Sequence, residues 1–470
     1  MPYLISFFLC LSLSLFGKEK PRPNIIFILT DDQRWDALGV AGNYIIKTPQ
    51  MDELAKKGVY FKNAFSTTPI CAASRASILT GLYERTHNYT FQKPPLQVQY
   101  TNLMYPKILK ENGYHVGFYG KLGVAIDRPE QYFDESDFYD RGPRSDKGGY
   151  FYKKLGTDTV HLTRYAGQQA QDFISNAPKN KPFCLSVSFS APHGHDSSVE
   201  QYFWQEKSDA LYEKDVFPEP SLGEDLYFDR LPIEVKNGFN RVRWKWRFDT
   251  PEKYQRMMRG YYRMITEIDD EIGALRNLLA QKGQAENTIF IIMGDNGYFT
   301  GDRQLADKWL MYEPSIRIPL IIFDPRKTNK SCTVSDMVLN IDITPSILDF
   351  AEIKSPANYQ GESLKPYLNR PDYSLHRDFI LIEHLWKLPE IPSSEGIRTD
   401  KWKYFKYRYI QAPEELYDLE NDPMETKNLA QEQSHQKILK KLRNKFTRKV
   451  AQLREGQLVA ESSSQEQIKF

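Results

Sequence analysis

Short apolar runs rich in β-branched residues recur along the first two thirds of the chain. They lie at 25–29, 116–119, 183–189, 288–293 and 320–323. Runs of this length without polar interruption are typical of parallel strands that are buried on both faces. Between them, periodic segments predict helices at 51–57, 103–112 and 251–282, each followed by a glycine. The long helix has Thr250 as its predicted cap and Pro251 in its first turn. Strands that alternate with helices predict an α/β/α sandwich around a large, mostly parallel sheet.

The pattern changes after about residue 355. Proline-rich connections lead to aromatic and basic runs at 379–383 and 402–409, which predict a smaller C-terminal α+β subdomain at 356–455 with an antiparallel sheet. A polar helical pattern extends from 431 to about 453, and the Ser/Gln/Glu-rich tail at 456–470 is predicted to be disordered. The region before this subdomain, 18–355, is predicted to form the larger domain.

The N-terminal residues have the character of an export signal. Residues 4–16 form an apolar run that is too short to span a bilayer, and charged residues follow from Lys18. We interpret 1–17 as a signal peptide, which predicts a periplasmic or secreted protein. No later run is long and apolar enough to predict a membrane span.

Composition narrows the functional classes. The 470 residues carry 63 basic and 61 acidic side chains, a net charge of +2, which disfavours a nucleic-acid binder that uses its whole surface. Four cysteines without a C-x-x-C spacing predict neither a disulfide scaffold nor a zinc ribbon. Loss of Cys10 with the signal peptide would leave Cys71, Cys184 and Cys332, an odd number in an oxidising compartment.

Polar side chains follow four of the predicted strands. In open α/β sheets, ligands bind beyond the carboxyl ends of the strands, so these residues are candidates for a site. They are Asp31 and Asp32 after the first strand, Lys121 after the second, His193 and His195 after the third, and Asp295 and Asn296 after the fourth.

Four of these residues offer hard oxygen ligands. Asp31, Asp32, Asp295 and Asn296 suit calcium or magnesium better than zinc. An isolated Asp-Asn-Gly is more often a turn. Two carboxylates at the end of one buried strand repel each other, however, so they require a cation or a proton, and a second cluster strengthens the metal interpretation.

The segment 67–81 contains a cysteine at the predicted start of a helix. Residues after Cys71 have a helical pattern that ends at Gly81, which places Cys71 where backbone N–H groups favour anions. Free cysteines are more often small core residues. Arg75, one turn further on the same face, is hard to explain by that alternative.

These residues resemble the signature of the sulfatase family. The signature is Cys-x-Pro/Ala-Ser-Arg followed by Leu-Thr-Gly, and it is present here as Cys71, Ala73, Ser74 and Arg75 with 79–81. The resemblance extends over most of the chain. Further matching segments are 23–32, 120–121, 191–193, 294–297, Lys308, Glu313, 317–319 and 415–429.

The resemblance implies an alkaline-phosphatase-like fold and a type I sulfatase that acts on a sulfated carbohydrate, with 18–355 as its catalytic domain. It implies that a formylglycine-generating or anaerobic maturation enzyme oxidises Cys71 to formylglycine (3-oxoalanine), whose hydrate can expel sulfate by re-forming the aldehyde. Asp31, Asp32, Asp295, Asn296 and the modified Cys71 would then bind one calcium ion. The implied catalytic roles are fixed positive charge from Arg75, Lys121 and Lys308, and protonation of the leaving oxygen by His193.

One position departs from the family pattern. The family usually has a histidine two residues after the lysine, whereas this chain has Gly123. His195 is a candidate to compensate, and a loop histidine without a catalytic role is an equal alternative. The departure leaves open a decayed enzyme that binds sulfated glycans. A phosphonate or phosphate ester hydrolase of the same superfamily is a further alternative, because calcium and formylglycine can serve either anion.

Several residues are candidates to contact substrate. Segment 239–248 interleaves basic and aromatic residues, which suits a sulfated sugar, although an edge strand with one basic face would show the same alternation. His384, Arg398 and His87 are further candidates for sugar or sulfate contacts, and ordinary packing is the alternative for each.

Overall fold

The computed structural model describes residues 21–465 except 92, 328–331 and 371, with side chains described as far as 454. The predicted signal peptide at 1–17 and the last residues of the predicted tail lie outside the described residues. None of the described helices combines the length and apolarity needed to cross a membrane.

An eight-stranded sheet forms the centre of the larger part of the molecule. Its order is Cys332–Val334, Val59–Phe61, Leu320–Phe323, Thr288–Gly294, Asn24–Thr30, Phe183–Ser188, His115–Gly120 and Glu135–Phe138. All five predicted apolar runs lie in it. The expectation that all five are parallel is wrong for one, because Leu320–Phe323 pairs antiparallel with both neighbours. An apolar run buried on both faces carries no signal of strand direction, which depends on the connections.

Helices cover both faces of this sheet, which confirms the α/β/α sandwich. Ile26 and Ile28 face a core shared with three helices. Ile25 and Phe27 face the opposite core, shared with three others. The first three are Pro49–Lys57, Leu162–Asn176 and Pro251–Gln281, and the other three are Cys71–Thr80, Tyr105–Glu111 and Ile343–Phe350. Alternate side chains of one strand therefore stabilise both layers.

Shorter elements connect and flank these layers. The short helices are Glu84–His87, Val98–Thr101, Asp225–Asp229, Ile233–Lys236, Glu313–Ile316 and Lys365–Asn369. The short strands are Ala64–Phe65, Lys153–Leu155, Asp158–Val160, Phe299–Thr300, Ala306–Asp307, Arg317–Ile318 and Val338–Leu339.

The segment 239–248 is a helix, Phe239–Arg247, and the edge-strand interpretation is wrong. Its buried residues are Asn240 and Arg247, seven positions apart on one helical face. Asn240 donates from Nδ2 to the backbone oxygens of Ala306 (2.7 Å) and Lys308 (2.8 Å). Because the buried face is polar, the apolar periodicity that normally identifies a helix is missing.

The C-terminal subdomain contains a four-stranded antiparallel sheet, as predicted. Its strands are Ile380–His384, Ser394–Arg398, Trp402–Tyr407 and Glu415–Asp418, in that order. The helix Gln436–Gln465 packs on this sheet through Leu439, Leu442 and Phe446. It extends beyond residue 453, where the sequence pattern predicts its end. The domain boundaries themselves stay predictions.

Glu267, on the long helix, is expected to make stability depend on pH. Its side chain is fully buried and accepts a hydrogen bond from the Gln205 backbone N–H (2.7 Å), while His161 Nδ1 lies 3.9 Å from its Oε2. Burial raises the pKa of this carboxyl to about 7, above about 4.3 in an unfolded chain. Folding therefore takes up a proton between these pH values, so this contribution to stability falls as pH rises through the window.

We expect Glu267→Gln to remove this dependence. Relative to the variant, the wild-type free energy of unfolding should fall by up to about 1.4 kcal/mol per pH unit between about pH 4.3 and 7. Urea unfolding at several pH values measures the difference. Glu206→Gln, at an exposed side chain, is the control and should show no such trend. A constant difference between wild type and Glu267→Gln would contradict the prediction.

Candidate active site

Two acidic strand ends meet at one edge of the main sheet. Asp31 and Asp32 follow the strand Asn24–Thr30, and Asp295 and Asn296 follow its parallel neighbour. The Asp32 backbone N–H donates to Oδ1 of Asp295 (3.2 Å), and Asn296 Nδ2 donates to Oδ1 of Asp32 (2.7 Å). All four residues are fully buried. The predicted cluster of oxygen ligands is therefore brought together as the strand ends required.

Three cations from other elements surround these carboxylates. Lys121 Nζ contacts Oδ2 of Asp31, and Lys308 Nζ contacts Oδ1 of Asp32. Arg75 donates from Nε to Oδ2 of Asp295 (2.8 Å). Buried charges of this kind are stable only when they are paired and hydrogen-bonded. The predicted anion-binding cations and the predicted metal ligands thus form one network.

The three carboxyl groups differ in the direction in which their pKa is shifted. Burial raises the pKa of Asp32 to about 7, with Lys308 opposing the shift. Burial and the charge of Asp31 also raise the pKa of Asp295. The pKa of Asp31 is lowered, because Lys121, Arg75 and Lys308 outweigh its burial. A further cation at this edge would favour the charged form of all three.

The donor atoms fit a hard divalent cation. Three oxygens of this cluster lack a hydrogen-bond partner among the described residues: Oδ1 of Asp31, Oδ2 of Asp32 and Oδ1 of Asn296. His193 joins them, because its Nε2 lies 3.4 Å from Oδ2 of Asp32. Ligand atoms of Asp31, Asp32 and His193 lie within 4.8 Å of one another. Unpartnered buried oxygens are costly unless an ion or water binds them. His193 therefore borders the cluster of oxygen ligands, and its ring nitrogen is not itself one of the hard oxygen donors.

Cys71 is the first residue of the helix Cys71–Thr80, as predicted. The helix is buried along its whole length and ends at Gly81, whose φ of 69° is the left-handed conformation that glycine adopts readily. Burial raises the pKa of the Cys71 thiol. Because a thiol with a raised pKa is a poor nucleophile near neutral pH, the unmodified side chain is not activated for attack.

A cavity of about 350 Å³ opens over Cys71. Cys71, Lys121, His193 and Lys308 line its polar end. Aromatic and aliphatic side chains line the other side: Ile70, Phe91, Phe239, Trp309, Trp386 and Ile391. Trp386 and Ile391 come from the C-terminal subdomain, which therefore completes the site. The volume lies at the lower end of the range for small-ligand pockets.

Lys308 lies in a strained loop. Asp307 and Trp309 on either side of it have φ of 77° and 79°, which non-glycine residues seldom adopt. Such conformations cost about 1–3 kcal/mol each and persist where surrounding contacts impose them. Here Asn240 binds the backbone of this loop. The strained backbone therefore lies on both sides of Lys308, whose Nζ contacts Asp32.

Sequence reasoning missed two residues beside the polar end. Asp140 Oδ2 lies 3.3 Å from Lys121 Nζ. Arg141 donates from Nη1 to Nδ1 of His193 and to the Gly194 oxygen (2.6 Å). Both residues line the cavity. Both residues follow the strand Glu135–Phe138. The sequence of this strand is polar and does not predict a strand, so its end was not searched for site residues.

The position of the absent histidine could hold a side chain only if Arg75 shifted. A Cβ atom on Gly123 would lie 2.7 Å from Cδ of Arg75, and Gly123 has a φ of 69°. His195 does not take its place in the cavity. It is buried against Tyr150 and Phe203, with ring centroids 6.4 and 6.3 Å away, and it is not among the described residues that line the cavity.

The other three predicted substrate contacts also lie elsewhere in the described structure. His87 is buried beside Ser77 Oγ (3.0 Å) at the end of a short helix. His384 is buried in the C-terminal sheet, and burial lowers its pKa to about 3. Arg398 pairs with Glu313 (3.0 Å) and stacks on Phe65. The structure brings none of the three to the cavity over Cys71.

Replacing Arg398 is expected to reduce stability rather than activity. In Arg398→Ala, Glu313 keeps Lys403 as a partner (2.7 Å) but loses the guanidinium, so we expect a cost of about 1–3 kcal/mol. Denaturant unfolding measures this cost, and hydrolysis of an aryl sulfate should stay within about twofold of wild type. Arg230→Ala, at an exposed side chain, controls for loss of an arginine. A tenfold fall in kcat/KM with unchanged stability would return Arg398 to the substrate site.

Comparison with known proteins shows which family the chain is similar to. The chain matches the family model described as Sulfatase over residues 23–353, and the model described as N-sulphoglucosamine sulphohydrolase, C-terminal, over 301–452. It is 30% identical to an arylsulfatase of Clostridium perfringens, covering 93% of this chain and 96% of that protein. It is 28% identical to an N-acetylglucosamine-6-O-sulfatase of Bacteroides thetaiotaomicron, covering 90% and 86%.

A solved structure shares the fold over nearly the whole chain. It is that of a protein in complex with its substrate D-glucosamine-2-N,6-O-disulfate, with a TM-score of 0.77 and 26% identity. The alignment covers 92% of this chain and 98% of that protein.

Proposed function

Because the chain belongs to the sulfatase family, we propose that it removes sulfate from a sulfated carbohydrate, with formylglycine formed from Cys71 and one calcium ion. The observation that carries this proposal is the cavity in which Cys71 lies beside Lys121 and Lys308, at the edge of an oxygen-rich cluster. The aromatic wall suits a sugar ring. The relatives named for N-acetylglucosamine sulfate and glucosamine disulfate support the same substrate class.

The proposed cofactors supply the chemistry that the amino acids lack. Formylglycine would provide a hydrated aldehyde as the nucleophile, and calcium bound by Asp31, Asp32, Asp295 and Asn296 would supply positive charge. The chain's own residues bind the sulfate group and orient the metal ligands. Lys121 and Lys308 flank Cys71 and are placed to bind sulfate oxygens. Arg75 lies behind them and holds Asp295 in position.

His193 is the proposed acid for the leaving oxygen. Burial lowers the pKa of His193 well below its usual value, and the positive charge of Arg141 acts in the same direction. A bound sulfate ester would oppose this shift, because a nearby negative charge favours the protonated imidazole. Bound substrate would therefore favour the protonated form of His193, which can donate to the leaving oxygen.

Comparison of three esters tests the reaction class. The purified protein, produced in a host that forms formylglycine, is assayed with 4-nitrophenyl sulfate, 4-nitrophenyl phosphate and 4-nitrophenyl phenylphosphonate, and then with monosulfated saccharides. We expect kcat/KM for the sulfate to exceed those for both phosphorus esters by at least tenfold. Faster phosphorus chemistry would favour the phosphonate or phosphate hydrolase. Sulfated saccharides bound without turnover would favour the decayed glycan-binding protein.

We also propose that the protein is matured and exported. A formylglycine-generating or anaerobic maturation enzyme would act on Cys71, and residues 1–17 would direct the chain to the periplasm or the medium. Mass spectrometry of the Cys71 peptide, and N-terminal sequencing of the exported chain, test the two steps. A peptide population with only cysteine, or a cytoplasmic chain with its N-terminus intact, would contradict them.

A further inference from the structure

The outer wall of the cavity contains a second polar group, away from the calcium ligands. It consists of Asp196 and Arg243, which both line the cavity. Arg243 donates from Nη2 to Oδ2 of Asp196 (2.6 Å) and from Nη1 to Oδ2 of Asp307. We refer to Asp196 and Arg243 as the clamp. Neither residue has a role in the proposed sulfate chemistry.

The clamp is held rigidly from behind. Arg247 is fully buried and contacts Oδ1 of Asp196 through Nη2. It also donates to Gln201 Oε1 (2.8 Å) and to the Tyr298 hydroxyl (2.8 Å). The Arg243 guanidinium stacks over Trp309, 4.8 Å from the ring centroid. Rigid support of this kind is what a recognition group requires, because little side-chain entropy is lost when a ligand binds.

The clamp is linked directly to the polar end of the cavity, where the sulfate is proposed to bind. Asp307 binds both Arg243 and Arg247, and the next residue in the chain is Lys308, which contacts Asp32. The left-handed conformation of Asp307 fixes the direction of this link. A group that binds the clamp therefore lies at a set distance from a sulfate held at Lys308.

The outer wall carries no spare positive charge in the described part of the cavity. Arg243 is paired with Asp196 and Asp307, and Arg141 is paired with Asp140 (3.2 Å). Asp196 remains 29% exposed at its side chain and can still accept a hydrogen bond. A second sulfate or a carboxylate placed here would be repelled by Asp196. A neutral hydroxyl can donate to Asp196 and accept from Arg243 at the same time.

From this geometry we infer that the clamp selects a neutral hydroxyl of the sugar ring near the sulfated carbon, and rejects a second anionic group at that position. This inference rests on the proposed function and specifies its substrate as a sugar that carries one sulfate at the reacting end. The ring would lie against Trp309 and Phe239, with the hydroxyl at Asp196 and Arg243.

The test compares a monosulfated monosaccharide with its analogue bearing a second sulfate on a neighbouring carbon. We expect wild-type kcat/KM to favour the monosulfated sugar by at least about tenfold, since like charges at a specific site are strongly disfavoured. Asp196→Asn keeps the shape and removes the repulsion. It should reduce this preference by about tenfold, by slowing the monosulfated sugar and accelerating the disulfated one.

Arg243→Lys provides a second variant with a matched control. Lysine retains the charge but not the planar fork that joins Asp196 to Asp307, so the preference should fall. Arg241→Lys makes the same change two residues away on the same helix, where Arg241 stacks on Trp244 and donates to Gln304 Oε1 (2.7 Å). It should leave the preference unchanged. An equal loss of kcat/KM on both sugars in Asp196→Asn would mean that Asp196 has only a structural role, and it would overturn the inference.

Binding measurements separate this inference from the proposed function. Isothermal titration of the Cys71→Ala chain gives Kd for both sugars without turnover. A tenfold Kd preference that Asp196→Asn reduces supports the clamp even if the wild-type chain releases no sulfate, in which case only the proposed function fails. Sulfate release by wild type with a preference that Asp196→Asn leaves unaltered overturns the clamp and leaves the proposed function in place.

Discussion

Cys71→Ala is expected to lower sulfate release by at least about 10³-fold while the protein stays folded. Loss of a nucleophile removes the covalent route, and reactions that depend on one fall by several powers of ten. Cys71 borders the cavity, so the smaller side chain leaves little new void, and a cost of about 1 kcal/mol is expected. Release of sulfate from an aryl sulfate and the midpoint of thermal unfolding measure the two effects.

Cys184→Ala is the matched control for this change. Cys184 is fully buried within the strand Phe183–Ser188, and burial raises the pKa of its thiol. Its replacement leaves a void in the core of the sheet, so stability should fall and kcat should be retained. The opposite pattern, in which Cys71→Ala unfolds the protein and retains activity per folded molecule, would mean that Cys71 is only a core residue.

Calcium is expected to stabilise the wild-type protein, and Asp32→Asn to remove most of this effect. Binding to the folded state alone contributes about 2.7 kcal/mol when free calcium is 100 times its Kd. Asparagine keeps the shape of Asp32 but not its charge. Because burial raises the pKa of Asp32 to about 7, the fold without calcium already tolerates a neutral group there. We therefore expect a folded variant with kcat/KM reduced at least about 100-fold.

Thermal unfolding in calcium and in excess chelator measures the calcium effect independently of turnover. Asp302→Asn is the control, because Asp302 is also a buried carboxylate paired with an arginine, Arg34 (2.5 Å). That variant should lose stability because its ion pair is removed, but its calcium-induced shift should equal that of wild type. A wild-type midpoint that is the same in calcium and in chelator would contradict a calcium site at this edge of the sheet.

Local sequence signals were sufficient for the polar end of the site. Asp31, Asp32, Lys121, Asp295 and Asn296 each lie within two residues of the end of a strand, so recognition of the strand also locates the residue. Parallel strands then place these ends at one edge. Cys71 and Arg75 are one turn apart in a single helix, and their spacing alone puts them on one face.

Contacts between distant segments decided the rest. Asp196 and Arg243 are 47 residues apart, and Arg243 and Asp307 are 64 apart. No periodicity links such positions, and the helix that carries Arg243 buries a polar face, so its pattern suggested a strand. His87, His384 and Arg398 resembled site residues by type. In the structure, however, each is buried away from the cavity, where His87 contacts Ser77 and Arg398 pairs with Glu313.

The sequence by itself determined the α/β/α architecture, the sulfatase signature and the residues at the polar end, because these depend on short-range patterns in the chain. The tertiary structure alone decided the direction of the strand Leu320–Phe323, the space that Arg75 takes beside Gly123, and the neutral, clamped outer wall of the cavity. Those features depend on close packing and ion pairing between side chains from separate elements. The linear sequence does not show which of these side chains meet.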